Sequence, residues 1–409
     1  MHHAVLDVRR ALRRGREFLA LERNIVVLLA ALLILGMGEE LWARFVPRYL
    51  EVLGASAWII GAYGSFQRIV EAFYQYPGGA VSDWLGRKRA LVLFNIVAAV
   101  GYLIYLLSPS WPMFLAGTLL VMVWSSMSQP AIFALIGDTL KRSQRAMGFS
   151  VQSIWKRVPI VLAPPIGGWL MTRMGIASGM KIGFACSLAL ALAAIYLQDH
   201  FYVANPPAEK RMSWNLIALW REMASDLKRL LLADCLARIG SNIAAVYVVL
   251  YVLNILGGTP LQFGLLTSIQ MTVSILGYIP AARLADRFGR RPFIIATFAF
   301  FALFPLTLVL VPDASWLPLA FAINGLREIG EPARKALIVD LAADTHRGRA
   351  VGLYYLIRGL VTIPAPLVGS WLWQQTPRLV FLTAFAIGVL GLIAFIWANP
   401  SEEPMSAFS

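Results

Sequence analysis

Twelve apolar runs of about 20 residues follow one another along the chain, and a polypeptide built this way has to use a lipid bilayer as its solvent. They lie at about 24–48, 56–81, 88–108, 111–137, 147–171, 180–201, 229–255, 262–285, 291–312, 315–340, 349–373 and 378–398. Hydrocarbon offers no partner for a backbone N–H or C=O, so each run is expected to be a helix that satisfies these groups internally. Composition agrees: 59% of the residues are hydrophobic and 14% charged, where a soluble domain carries about 25% charged.

Loop charges set the expected orientation. Arg9, Arg10, Arg13, Arg14, Arg16 and Arg23 precede the first run; Arg87, Lys88 and Arg89, then Lys141, Arg142 and Arg145, follow later runs on the same side. Lys210, Arg211, Arg221, Lys228 and Arg229, then Arg287, Arg290 and Arg291, then Arg347 and Arg349 continue the pattern, whereas the opposite loops contribute Arg48, Arg173 and Arg378. Both termini are therefore expected in the cytoplasm, with the protein in a plasma membrane, the bacterial inner membrane in particular. The asymmetry accounts for the net charge of +14 without nucleic acid as a partner. Residues 1–23 read as a basic amphipathic segment on an anionic leaflet rather than a cleaved signal. In 202–228, Trp214, Ile217, Trp220, Ala224 and Leu227 recur at helical spacing, as in a cytoplasmic linker with an interfacial helix. Cys186 and Cys235 lie in separate apolar runs, His2, His3 and His346 fall outside the runs, and His200 falls at the very end of one. No metal site, cofactor or histidine proton relay is expected.

One short pattern occurs twice. Gly79-Ala80-Val81-Ser82-Asp83-Trp84-Leu85-Gly86-Arg87-Lys88 corresponds to Ala282-Arg283-Leu284-Ala285-Asp286-Arg287-Phe288-Gly289-Arg290-Arg291. The repeat extends further at an offset of 202 to 203: Tyr49 with Tyr251, Gln129-Pro130-Ala131 with Glu331-Pro332-Ala333, Asp138 with Asp340, Ala163-Pro164 with Ala365-Pro366. Expected is an all-α integral membrane protein of twelve transmembrane helices in two pseudo-symmetric six-helix bundles, 24–201 and 229–398, with a tail at 399–409. Such repeats form a solute site near the midplane, at the repeat interface.

On these residues the chain resembles the major facilitator superfamily of secondary transporters, over nearly its whole length. The two loops are similar to that family's signature between helices 2 and 3 and between helices 8 and 9, with Trp84 and Ala282 as departures. Ala163-Pro164-Pro165-Ile166-Gly167-Gly168 resembles the antiporter motif of helix 5, with Ala163 and Pro159 where glycine is usual. The resemblance implies that helices 1, 4, 7 and 10 line a central cavity. It also implies that Asp83, Gly86, Arg87, Lys88, Asp286, Arg290 and Arg291 brace neighbouring helices as a gate, with Asp138 and Asp340 as partners of the basic residues. Positive charge that merely sets topology is the simpler reading of the same loops.

Charges inside the runs are the candidate site. Seven basic groups (Arg44, Arg68, Lys156, Arg157, Arg238, Arg327 and Arg358) and five acidic ones (Glu39, Glu40, Glu71, Glu328 and Glu331) fall at mid-depth. Each costs about 3 kcal/mol at the bilayer centre on insertion scales. Twelve facing lipid would exceed a typical total stability of about 5–15 kcal/mol, so they must face a cavity or one another. Spacing pairs Glu40 with Arg44, Arg68 with Glu71 and Arg327 with Glu331. Lys156, Arg238 and Arg358 have no mid-depth carboxylate on their own helices. Lys156 and Arg358 are equivalent in the repeat and either clamp an anionic group or lock onto Glu39, Glu40 or Glu328. Solute contact is expected at Glu40, Arg68, Trp124, Gln129, Lys156, Arg238, Asn242, Arg327 and Arg358, although ordinary helix packing also explains Trp124. Proton coupling would fall to Glu39, Glu40, Glu328 and Glu331, because low dielectric favours the protonated carboxyl and a nearby cation reverses this.

The function expected is a monomeric, proton-coupled exporter of a small organic solute, working by alternating access. The alternative is an importer or exchanger of organic anions that uses the basic belt; a non-transporting receptor or a lipid scramblase is the alternative of another class. No Ser-His or Cys-His constellation lies at membrane depth, so an enzyme is not expected.

Overall fold

The computed structural model describes residues 22–141, 145–203, 220–221, 223–342 and 347–398, and every regular element among them is helical. The expected amphipathic segment 1–23 lies outside these residues except for its last two, as do the tail 399–409 and most of the 202–228 linker, Trp214 and Ile217 included.

The helices, in order, are α1 (Arg23–Glu40), α2 (Val46–Val52), α3 (Ala57–Leu85), α4 (Arg87–Leu107), α5 (Trp111–Met122), α6 (Ser128–Thr139), α7 (Arg145–Trp155), α8 (Val158–Met174) and α9 (Ile176–Phe201). The second repeat contains α10 (Ser225–Ala245), α11 (Pro260–Phe288), α12 (Arg291–Leu310), α13 (Leu317–Leu326), α14 (Glu331–Asp340), α15 (Arg347–Val361), α16 (Ala365–Gln375) and α17 (Pro377–Ala398). Among the described residues eight stretches are long and apolar enough to cross a membrane, and a ninth is Ser225–Ile255, bent by 42° after Ala245. The other three of the twelve stretches are α3, α7 with α8, and α13 with α14. Each of the three carries charge and proline.

The breaks follow from that proline. Proline has no N–H to donate and its ring collides with the carbonyl four residues back. Pro159 accordingly sits at the start of α8, and α7 ends at Trp155, which leaves Lys156 and Arg157 in the joint. Pro332 does the same at the start of α14, so Arg327–Gly330 form turns between α13 and α14. The freed Gly330 N–H is satisfied by Thr297 Oγ1 at 2.8 Å. Helix breaks at membrane depth are tolerated where side chains re-satisfy the backbone in this way.

The described residues of Met1–Gly54 and Phe73–Arg211 form one compact unit, and those of Ala55–Ala72 and Met212–Ser409 form the other. The first part of α3 therefore packs with the second unit, where the Tyr247 hydroxyl donates to Ala57 O at 3.3 Å. The first unit is centred on Trp42, Tyr49, Tyr102, Tyr105, Phe114 and Phe184, all buried. Tyr105 stacks on Phe114 at 4.0 Å, and Trp42 meets Tyr105 edge-on at 5.4 Å. Trp42 Nε1 donates to Ser187 Oγ at 2.9 Å and Tyr105 OH to Thr118 Oγ1 at 2.8 Å.

In the second unit α10 packs directly against α17 through small residues, as helices in lipid do when dispersion rather than water drives their association. A Cβ on Gly240 would lie 2.7 Å from Ala384 O, and one on Gly391 would lie 2.8 Å from Ala237 N. Gly240→Val is expected to cost about 1–3 kcal/mol by overpacking, read as a lower unfolding temperature of the detergent-solubilised protein; an unchanged midpoint would refute this packing.

Candidate functional site

The repeated loops make the first site. Helix α3 ends at Leu85, Gly86 takes φ = 81°, and α4 begins at Arg87. Gly289 takes φ = 89° at the equivalent place, a conformation that side chains avoid. The turn brings Arg87 back over the end of α3, where it is nearly buried and donates to Ser82 Oγ (2.9 Å), to Asp83 and to Asp138 Oδ2 (3.2 Å). Lys88 Nζ lies 3.6 Å from Asp199 Oδ1. In the second copy Arg290 pairs with Asp340, and Arg291 Nη2 donates to Ile396 O at 3.4 Å; the Asp286 side chain lies outside the described residues. Trp84, the departure from the family pattern, is 78% exposed. Asp83 and Asp138 are partly solvated, so the loss of their shared cation is screened. Arg87→Ala is expected to lower stability by about 1–2 kcal/mol, checked by thermal unfolding; no change would mean that the pair carries no energy.

A second group lies in the first unit. Glu40 accepts from Arg44 Nε at 2.9 Å across a break after α1 that runs through the short helix Ala43–Phe45. Glu39, next to it, accepts instead from Trp124 Nε1 at 3.1 Å. Trp124 sits in a π-helical turn, Val123–Met127, between α5 and α6, and such turns commonly mark functional positions. Lys156 is near enough to Glu39 for their charges to interact. Trp155 Nε1 donates to Leu29 O at 2.8 Å, which ties the end of α7 to α1. Gln129 is turned to its own helix, onto Ser125 O at 3.3 Å.

The third group, in the second unit, corrects two expectations. Arg238 does have a carboxylate on its own helix: Asp234, one turn earlier, lies with Oδ1 3.7 Å from Arg238 Nε. Arg327 does not pair with Glu331; its Nε is 3.8 Å from Glu328 Oε1, because the turns ahead of Pro332 separate Arg327 from α14. Glu331 is instead bound by Arg238 and by Arg334, the latter at 2.7 Å. Asp234 Oδ2 accepts from Arg334, from Tyr354 OH at 2.9 Å and from Arg358 Nη1 at 3.2 Å. Phe301 lies under both Arg238 and Arg327, with guanidinium carbons 4.7 and 5.3 Å from its ring centre. Asn242 donates to Arg238 O at 2.8 Å. Arg68 and Glu71 pair at 3.0 Å on an exposed face of α3.

Asp234 and Arg334 were not among the expected site residues. Asp234 falls near the end of its apolar run, where depth alone does not mark it. A signal for both was present in the spacing, as Asp234 with Arg238 and Glu331 with Arg334 share helix faces.

A helical protein that crosses the membrane many times, repeats one charged turn, and gathers charge at helix breaks within its spans is a membrane carrier by class. The sequence matches the Major Facilitator Superfamily over residues 28–233 and 230–408, and the chain belongs to that family: it is a transporter, not an enzyme, with a small-molecule substrate. It is 25% identical over 357 residues to the multidrug resistance protein MdtH of Photorhabdus laumondii, covering 84% of this chain and 86% of that protein. An uncharacterized MFS-type transporter of Methanocaldococcus jannaschii is 19% identical over 385 residues, covering 92% and 95%. Among solved structures the fold is similar to the nucleoside transporter NupG (TM-score 0.72, 15% identity, covering 93% and 99%). It is also similar to the human organic anion transporter MFSD10 (TM-score 0.65, 18% identity, covering 91% and 99%).

Proposed function

We propose that this transporter is a proton-coupled exporter of small organic solutes in a bacterial inner membrane, with Glu39 as its proton-exchanging group. The observation that carries the reading is a contrast. Among the described residues Glu40, Glu71, Asp234, Glu328 and Glu331 each have an arginine within ion-pair distance, whereas Glu39 is held by the neutral indole of Trp124. A carboxylate locked to a guanidinium has its charge already offset, so gaining a proton would break that pair. Glu39 exchanges a proton without breaking an ion pair, and Arg44 keeps the adjacent Glu40 neutralised while it does so.

Coupling requires that the proton bind the two conformations unequally. The Arg87–Asp83–Asp138 and Arg290–Asp340 sets are suited to define those conformations, because a pair that is made in one state and broken in the other gives a bistable element. Outward direction is supported by the similarity to MdtH, a protein named for multidrug resistance. The test is proton release from acid-loaded inside-out vesicles, followed by a pH dye while lipophilic cations, neutral amphiphiles and organic acids are added in turn. Solute-dependent alkalinisation by at least one class is expected. Uptake of solute with no proton movement in any class would refute the reading.

A further inference from the structure

The second unit contains a charge imbalance that its own residues do not settle. Three guanidinium groups, Arg238, Arg334 and Arg358, share two carboxylates, Asp234 and Glu331. The adjacent Arg327 and Glu328, 3.8 Å apart, add one base and one acid and leave the count unchanged. Both carboxylates are buried; Asp234 Oδ1 lies 3.7 Å from Arg238 Nε and accepts no hydrogen bond among the described residues. Asp234 Oδ2 alone receives Arg334, Tyr354 and Arg358, and Glu331 takes Arg238 and Arg334. One positive charge is left over in a cluster set within membrane-crossing helices, where an uncompensated charge is expensive and marks solute or ion pathways.

The surplus resides on Arg358. The side chain of Arg334 is 1% exposed and sealed between the two acids, whereas those of Arg238 and Arg358 are 24% and 22% exposed; of these two, Arg238 contacts both acids and Arg358 contacts Asp234 alone. Its contact with Asp234, at 3.2 Å, is longer than that of Tyr354, at 2.9 Å. A guanidinium carries five N–H donors in a planar fork. Among the described residues Arg358 donates one side-chain hydrogen bond, to Asp234, and rests on the ring of Tyr355 at 4.6 Å. Asp234 and Tyr355 thus fix the plane of the fork on one edge and one face. The remaining donors are arranged to receive two oxygens, the geometry that a carboxylate or sulfonate supplies.

We infer that Arg358, held by Asp234 and backed by Tyr355, is the docking point for a single negative charge on the solute, so that the preferred substrates are organic monoanions. This deepens the reading of the chain as a carrier of organic solutes, and it rests on that reading. One negative charge completes the cluster, a neutral isostere leaves the surplus in place, and a cation adds to it.

The test uses the purified full-length protein in neutral detergent and three ligands of one shape: benzoate, benzamide and benzylammonium. Benzoate is expected to bind at least about ten-fold more tightly than benzamide, the worth of a charge-assisted hydrogen bond, and benzylammonium more weakly than both. Arg358→Gln should abolish the preference for benzoate. Arg358→Lys, which keeps the charge and guards against a folding defect, should retain part of it. Added phosphatidylglycerol distinguishes a soluble anion from a lipid phosphate: benzoate binding should persist. Equal binding of benzoate and benzamide, an unaltered preference in Arg358→Gln, or elimination of benzoate binding by the lipid would each overturn the inference. Loss of proton movement in vesicles with benzoate binding intact would instead refute the proton-coupled reading and leave the anion site standing.

Discussion

Asp234→Ala is expected to destabilise the second unit by about 3–5 kcal/mol, the cost of breaking a buried ion pair by removing one partner. The reason lies in how many groups depend on one carboxylate. Arg334, fully buried, loses an ion pair to Asp234, and Arg358 and Tyr354 lose the acceptor they share with it. Arg334 keeps Glu331, but Glu331 is already shared with Arg238. Against a total stability of about 5–15 kcal/mol, such a loss would appear as poor accumulation in the membrane and a markedly lower unfolding temperature in detergent. Removing both sides returns the cluster to its parental net charge: Asp234→Leu combined with Arg334→Met leaves Arg238 on Glu331, and Arg358, which loses its one carboxylate, is 22% exposed. Replacing a buried pair with apolar residues is often neutral, so the double variant should recover most of the loss. A single variant as stable as the parent, or a double variant worse than either single one, would contradict the network.

The second large effect is expected at Glu39. Glu39→Gln keeps the size of the side chain and an oxygen to accept the Trp124 indole N–H, which the parent makes at 3.1 Å, and removes the exchangeable proton. Proton-driven solute movement should fall by at least about ten-fold, the order of one lost charged hydrogen bond, while solute binding and thermal stability change little. Glu40→Gln should behave differently. It deprives Arg44 of its 2.9 Å partner, so its effect should appear in stability and in binding. If instead Glu40→Gln uncouples protons and Glu39→Gln does not, the roles of the neighbouring carboxylates are reversed.

The fold was readable because lipid leaves so few alternatives. Runs of spanning length, the one-sided loop charge and the repeated Asp-Gly-Arg turns point to one architecture. The partners Asp138 and Asp340 of the loop arginines came from the family resemblance of those loops, and Arg87 and Arg290 pair with them in the structure. Two charge pairs were readable from spacing alone, Arg68–Glu71 within α3 and Glu40–Arg44 across the break that follows α1. Pro332 defeats the spacing rule for Arg327 and Glu331 by breaking the helix between them. The Asp234–Arg334 pair was hidden for another reason. At an offset of 202 the first repeat has Leu32 and Ile132, so internal symmetry carried no hint of it, and the partners are 100 residues apart in the chain. Which acid serves which base inside a bundle depends on helix rotation and on breaks, and neither is written in hydropathy.

The most direct test of the central claim is a paired flux measurement in proteoliposomes holding the purified protein in one orientation, with an internal pH dye and a solute that passes the vesicle screen. An imposed proton gradient should drive solute against its concentration, and a solute gradient should drive protons the opposite way, with both fluxes lost together in Glu39→Gln. Solute movement that runs only down its own gradient, indifferent to pH and unchanged by Glu39→Gln, would contradict proton-coupled export and leave a facilitator in its place.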